Sequence, residues 1–210
     1  ATWTELSATL STGSFTWTNS GNIDLASYSG NSYIAFQYTS DDSGAMTYEV
    51  DDIIVKSKTI FEENFETDTL GKMTAYSVTS DKDWAASTYQ TDKFAKASGY
   101  NGDVSSNDWL ITPALELTGN EILTFKTAAN YEGPALKVLI STDYTGSGEP
   151  SSATWTELSA TLSTGSFTWT DSGNIDLSSY SGNSYIAFQY TSDDSGAMTY
   201  EVDDVNVSSK

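Results

Sequence analysis

Apolar and polar residues alternate in short runs along most of this chain. Ser184–Tyr190 is the clearest run. In an extended strand Ile186, Phe188 and Tyr190 face one way, and Tyr185, Ala187 and Gln189 the other. Leu136–Ser141 and Ile122–Lys126 are further strands, rich in β-branched and aromatic residues. Turn-forming clusters separate the runs: Ser172–Asn174, Ser181–Asn183, Asp193-Asp194-Ser195-Gly196 and Asp143–Gly148. Turn signals spaced about 8–12 residues apart predict a sandwich or barrel. Helical periodicity is confined to one short turn expected near Lys93–Ala97.

The pattern also repeats. Residues 1–58 reappear as 153–210 at a constant offset of 152, and the 58 paired positions differ at five: Asn19/Asp171, Ala26/Ser178, Ile53/Val205, Ile54/Asn206 and Lys56/Ser208. The period exceeds the roughly 20–50 residues of a solenoid unit and suits a whole domain. Both copies close on Val-x-Ser-Lys, and new sequence starts at Thr59. The expected organisation is a tandem array. Residues 59–210 form a complete repeat, and 1–58 are the C-terminal part of a preceding one. Two C-terminal parts then share one N-terminal part, 59–152. Residues 1–58 are expected to be completed by a neighbouring repeat or an identical chain, since unpaired strands expose edges and an apolar face.

Composition narrows the chemistry. With no cysteine and no histidine, disulfides, thiolate chemistry and a Ser-His-Asp triad are excluded, and the commonest zinc ligand is missing. A formal net charge of −20, with nine basic against 29 acidic residues, disfavours nucleic acid, which requires a basic patch. No apolar run approaches the roughly 20 residues of a membrane span. No signal peptide is visible, as expected of a processed or internal piece of an exported chain. The Ser, Thr, Gly, Asn, Tyr and Trp content fits an extracellular β-protein.

The acids at the two ends of the repeat stand out. The Ile53/Val205 pair and the shared Val55/Val207 place Val205 and Val207 toward the core, whereas Ile54/Asn206 marks an exposed position. Simple alternation then turns Asp203 inward; a bulge at Asp203-Asp204 would reverse which aspartate points in, so both stay open. In Ile60–Glu66, Glu63 shares a face with Phe61 and Phe65, and Glu66 follows at the strand end. First and last strands are often neighbours in sandwiches. Hard oxygens clustered without bases favour calcium, although strand-end acids also stand simply in water.

The segments Phe61–Glu66, Asn107–Pro113, Leu139–Tyr144, Trp155–Leu158, Tyr185–Tyr190 and Glu201–Val205 together resemble, in order and spacing, the choice-of-anchor J domain of Bacteroidetes surface and secreted proteins. That group is related to the cleaved-adhesin and MAM-like jelly rolls. The resemblance spans 59–210, with 1–58 matching its C-terminal third. It implies an all-β jelly-roll β-sandwich of mostly antiparallel strands, a secreted or cell-surface location, and often a structural calcium ion. Carried over, the metal ligands are Glu66 or Glu63 with Asp203 or Asp204. Asp108 is either a further ligand or a turn cap before Trp109.

Aromatic residues raise a second possibility, stacking on sugar rings, against the plainer account of core packing. Trp109, inside an apolar run, is expected in the core, and Trp155 and Trp169 half-exposed. Trp84, Tyr100 and Tyr131 are the candidates for an exposed glycan contact. No separated carboxylate pair marks a glycosidase site, and no catalytic or cofactor-binding residue is expected. The sequence thus points to a non-catalytic repeat of a large surface or filament protein, acting as a calcium-stabilised structural or adhesive unit; the alternative is a carbohydrate-binding module.

Overall fold

The computed structural model describes residues 2–28, 30–42, 44–193 and 196–210. Two compact units divide it, Ala1–Ile54 and Val55–Lys210.

The second unit is built almost wholly of strands: β1 (Thr59–Glu63), β2 (Thr74–Thr79), β3 (Ala85–Tyr89), β4 (Asp92–Ala97), β5 (Asn107–Ile111), β6 (Leu115–Leu117) and β7 (Glu121–Asn130), then β8 (Lys137–Ser141), β9 (Thr156–Glu157), β10 (Thr170–Asp171), β11 (Ile175–Asp176), β12 (Gly182–Thr191) and β13 (Thr199–Ser209). A 3-10 turn at Pro150–Ser152 is the one helical element among its described residues. All the strand pairs are antiparallel.

Two sheets result. One runs β10-β7-β13-β4-β3, with β1 also on β13 and β11 also on β7. The other runs β2-β5-β12-β8-β9, with β6 also on β12. The long strands β12 and β13 are the spines. β13 has β7 along its whole length on one side and β4 and β1 sharing the other; β12 has β8 on one side and β5 and β6 sharing the other. This is the expected jelly-roll sandwich, and the first and last strands pair, Phe61 opposite Val207 and Glu63 opposite Val205.

The core lies between the sheets and follows the alternation read from sequence. Ile186, Phe188 and Tyr190 of β12 are fully buried, as are Val202, Val205 and Val207 of β13. Phe125 and Phe188 meet edge to face with centroids 5.0 Å apart, bridging the sheets. Burial of each such side chain is worth roughly 1.5–3 kcal/mol.

Two expectations change, and a third falls partly outside the described residues. The short helix near Lys93–Ala97 is strand β4, because pairing with β3 and β13 satisfies its backbone groups and buries Phe94, Ala95 and Ala97. Of the turn at 193–196, Asp194 and Ser195 lie outside the described residues; Asp193 and Gly196 pair as an isolated bridge. Residues 2–54 contain no strand among those described. Ile34, Phe36 and Tyr38 are 49%, 62% and 52% exposed, whereas their counterparts Ile186, Phe188 and Tyr190 are each 0% exposed. Same sequence, different burial: the strands form where β5, β7 and β8 pair with them.

Candidate functional site

The acids of the terminal strands form the first locus. β13 pairs with β7 as far as Asp203 opposite Lys126, and resumes at Asn206 opposite Thr124. Three steps on β13 match two on β7, so one extra residue bulges out. Asp204 sits there with φ 50°. The bulge resets the alternation: Val202 is buried, then Val205 and Val207. The inward turn of Asp203 expected from simple alternation is therefore lost. Asp203 is half-buried and Asp204 exposed, outside the core.

Asp204 pairs with Lys126 at 2.7 Å. Asp203 accepts the Asp204 N–H at 2.7 Å. Partial burial pushes the Asp203 carboxyl up to about 6; the Asp204 N–H and Lys126 oppose the shift, and the negative charges of Asp204 and Glu66 add to it. Glu66 is thus within electrostatic reach of Asp203, as the pairing of first and last strands predicts. The Glu66 carbonyl accepts from Lys93 Nζ at 2.9 Å.

Glu63 does not join this group. It is buried, on the Phe61 face as expected, but its carboxylate accepts the N–H of Phe65 at 2.9 Å and of Lys72 at 2.7 Å. The inward charge is satisfied by two backbone donors and clips the 64–72 loop shut. Gly71 lies against it with φ 59°, and a Cβ there would overlap the Glu63 carboxylate.

Asp108 occupies a separate place in β5, opposite Tyr190 and Ser77. It is 1% exposed, and neither its Oδ1 nor the buried Ser77 hydroxyl has a hydrogen-bond partner. Burial pushes its carboxyl up to about 6; the hydroxyls of Ser77, Ser106 and Ser80 draw it back less than that, and Asp83 pushes further. It caps no turn. Of the five acids read from sequence, Asp203 and Asp204 are chain neighbours at the bulge with Glu66 within electrostatic reach of Asp203, and Glu63 and Asp108 lie elsewhere. Among the described residues no three His, Cys, Asp or Glu side chains are grouped so as to hold a metal ion.

The aromatic candidates separate as well. Trp84 is 3% exposed and donates its indole N–H to the Asp108 carbonyl at 3.2 Å. It is a core residue, corrected from an exposed contact; the flanking Asp83 and Lys82 made the segment read as surface. Tyr100 and Tyr131 are 71% and 64% exposed. Both sit where β13 begins. Thr199 pairs with Asn130, just before Tyr131, and bonds Ser98, two residues before Tyr100. Phe167 joins this end, edge to face with Tyr131 at 6.0 Å.

Two features escaped the sequence reading. Phe167 carried a faint signal, following Gly165-Ser166 in a turn. The other feature is a small apolar cluster on the outer face of the β12 sheet, where Trp155 packs on Trp109 at 5.2 Å and on Tyr144 at 5.5 Å. Trp109 is buried as expected, but there rather than between the sheets.

The jelly-roll sandwich is shared with solved structures of low sequence identity. Among solved structures, the K3 cleaved adhesin domain of Lys-gingipain from Porphyromonas gingivalis is 19% identical, with a TM-score of 0.55 over 74% of this chain and all of that one. The K1 domain of the same protein is 21% identical, with a TM-score of 0.54 over 71% of this chain and 98% of that one. A carbohydrate-binding module solved with β-1,4-galactotriose is 16% identical at a TM-score of 0.41, over 70% of this chain and 94% of that one. No family model matches the sequence, and no curated protein does. No helix among the described residues is long and apolar enough to cross a membrane.

Proposed function

We propose that this chain is a non-catalytic, extracellular repeat domain of the choice-of-anchor J kind, a structural and adhesive unit of a large bacterial surface or filament protein. The observation that carries this reading is the duplication. A segment supplying the two spine strands of a sandwich occurs twice, with 53 of 58 positions unchanged. Reuse of a whole folding segment suits a string of domains that extends or displays; nothing in catalysis calls for it. The two carboxyls raised to about 6, Asp108 and Asp203, lie on different sheets. The likeness to adhesin domains of a gingipain agrees with a surface location.

Calcium belongs to this proposal as a stiffening ion at the β13 bulge. Glu66 and Asp203 offer hard oxygens within electrostatic reach of each other, and Asp204 adds a further negative charge beside Asp203. Two carboxylates fall short of the six to eight oxygens calcium takes, so backbone carbonyls of the bulge and of the 64–72 loop would complete the shell. Differential scanning calorimetry in calcium and in EDTA tests this. A rise of several degrees in Tm with calcium, lost in Asp203→Asn, is expected; identical curves would discard the ion and leave the repeat reading standing.

The second reading, carbohydrate binding, is favoured by the exposed Tyr100, Tyr131 and Phe167 at one end of the sandwich. Large exposed aromatic groups at loop tips offer flat faces for a sugar ring. A glycan array probed with the intact chain and with Tyr100→Ala/Tyr131→Ala separates the two. Signal that disappears in the double variant identifies a module, and silence with both proteins removes that reading.

A further inference from the structure

We infer that residues 1–58 of one copy can take the place of 153–210 on the Thr59–Ser152 half of a second copy. The inference rests on the repeat reading and names its partner.

The geometry of the folded repeat says what the first 58 residues fit. β12 and β13, the spine of each sheet, both come from 153–210. Within 59–152, β5 is joined to β8 only through β12, and β4 and β1 are joined to β7 only through β13. That half therefore has two vacant strand positions whenever its completing segment leaves.

The twin segment carries the same side chains to fill them. Buried Ile186, Ala187, Phe188 and Tyr190 correspond to Ile34, Ala35, Phe36 and Tyr38; buried Tyr200, Val202 and Val207 correspond to Tyr48, Val50 and Val55. Of the five differences only Val205/Ile53 falls at a buried position, adding one methylene. The others, at 171, 178, 206 and 208, are exposed or half-buried. Asp171, which helps hold the Lys126 charge, becomes Asn19. The interface is thus conserved across the copies, with a slight preference for 153–210.

Residues 1–210 include one Thr59–Ser152 half and two completing segments. A chain closed on its own 153–210 presents 1–58, with its apolar side chains exposed, to any copy whose half is open. This is strand donation between near-identical segments, the low-cost route of domain swapping.

The test uses full-length chains. In Phe36→Asp/Phe188→Asp both completing segments carry a charge at a core position while the Thr59–Ser152 half is intact. An isotope-labelled sample is co-refolded with wild type. A 1:1 complex by native mass spectrometry is expected, with the labelled chain's amides in β5 and β7 gaining protection on the order of 100-fold. A Phe36→Asp chain in place of wild type should abolish both. No complex, or a complex indifferent to Phe36→Asp, overturns the inference. If the double variant still unfolds cooperatively alone, Ile34→Asp and Ile186→Asp are added and the same mixing decides. Failure here leaves the calcium and glycan assays untouched, so it is distinguishable from failure of the functional reading.

Discussion

At the level of single residues, the fold disposes of its buried acids in contrasting ways. Glu121, 2% exposed, accepts the Thr118 hydroxyl at 2.5 Å and the N–H groups of Thr118, Gly119 and Asn120, each at 3.0 Å, and its pKa is lowered: burial is the largest single influence, but these four donors together outweigh it. Asp108 has no backbone donors, only serine hydroxyls that fall short of offsetting burial, and it is raised to about 6. Its folded pKa lies above the unfolded 3.8, so the folded state holds the proton more tightly. The stability Asp108 contributes is therefore fullest below pH 3.8 and is lost as pH rises through about 6. That loss amounts to about 2–3 kcal/mol at pH 7.5. Asp108→Asn should raise Tm at pH 7.5 and leave it unchanged near pH 4; a variant no more stable at pH 7.5 would mean the carboxylate has a partner there. Glu121→Ala should cost about 1–3 kcal/mol at neutral pH in urea unfolding, since three backbone donors lose their acceptor. Sequence reading singled out Asp108 but not its isolation, because the serines around it come from β2 and from the loops flanking β3 and β5. It placed Trp84 on the surface because burial there depends on β5, far along the chain.

Among elements, long alternating strands were the most legible. β7, β8 and β12 lie where the pattern puts them, since one buried face fixes both period and register. β4 was misread as a helical turn: Lys93-Phe94-Ala95-Lys96-Ala97 has helix-forming residues, and only its partners β3 and β13 make it a strand. The bulge in β13 was foreseen as one of two options. Sequence could not choose, because an extra residue is visible only against the register of β7. Its geometry makes a sharp demand. Asp204 holds a left-handed φ of 50°, which aspartate tolerates and β-branched residues do not. Asp204→Val should cost on the order of 1–2 kcal/mol in chemical denaturation, whereas Asp204→Gly should lose little beyond the Lys126 pair. Equal costs for the two would locate the effect in the lost ion pair instead.

At the scale of the whole molecule, the chain runs a comparison on itself. Residues 31–39 and 183–191 are the same nine residues in sequence, with the same intrinsic strand propensity, the same turn signals before them and the same net charge. In one copy they are the spine of a sheet; in the other the described residues form no strand. Local sequence is therefore insufficient, and the deciding contribution is the apolar surface that β5, β6 and β8 bring. The difference should be large in hydrogen exchange. Amides of 31–39 in the intact, isolated chain should exchange close to unprotected rates, while those of 183–191 should be protected up to the global unfolding free energy. Limited proteolysis should agree: proteinase K should cut first within residues 2–54 and leave a resistant fragment close to Val55–Lys210. Matching protection in the two copies would mean that residues 1–58 already have a partner half in solution.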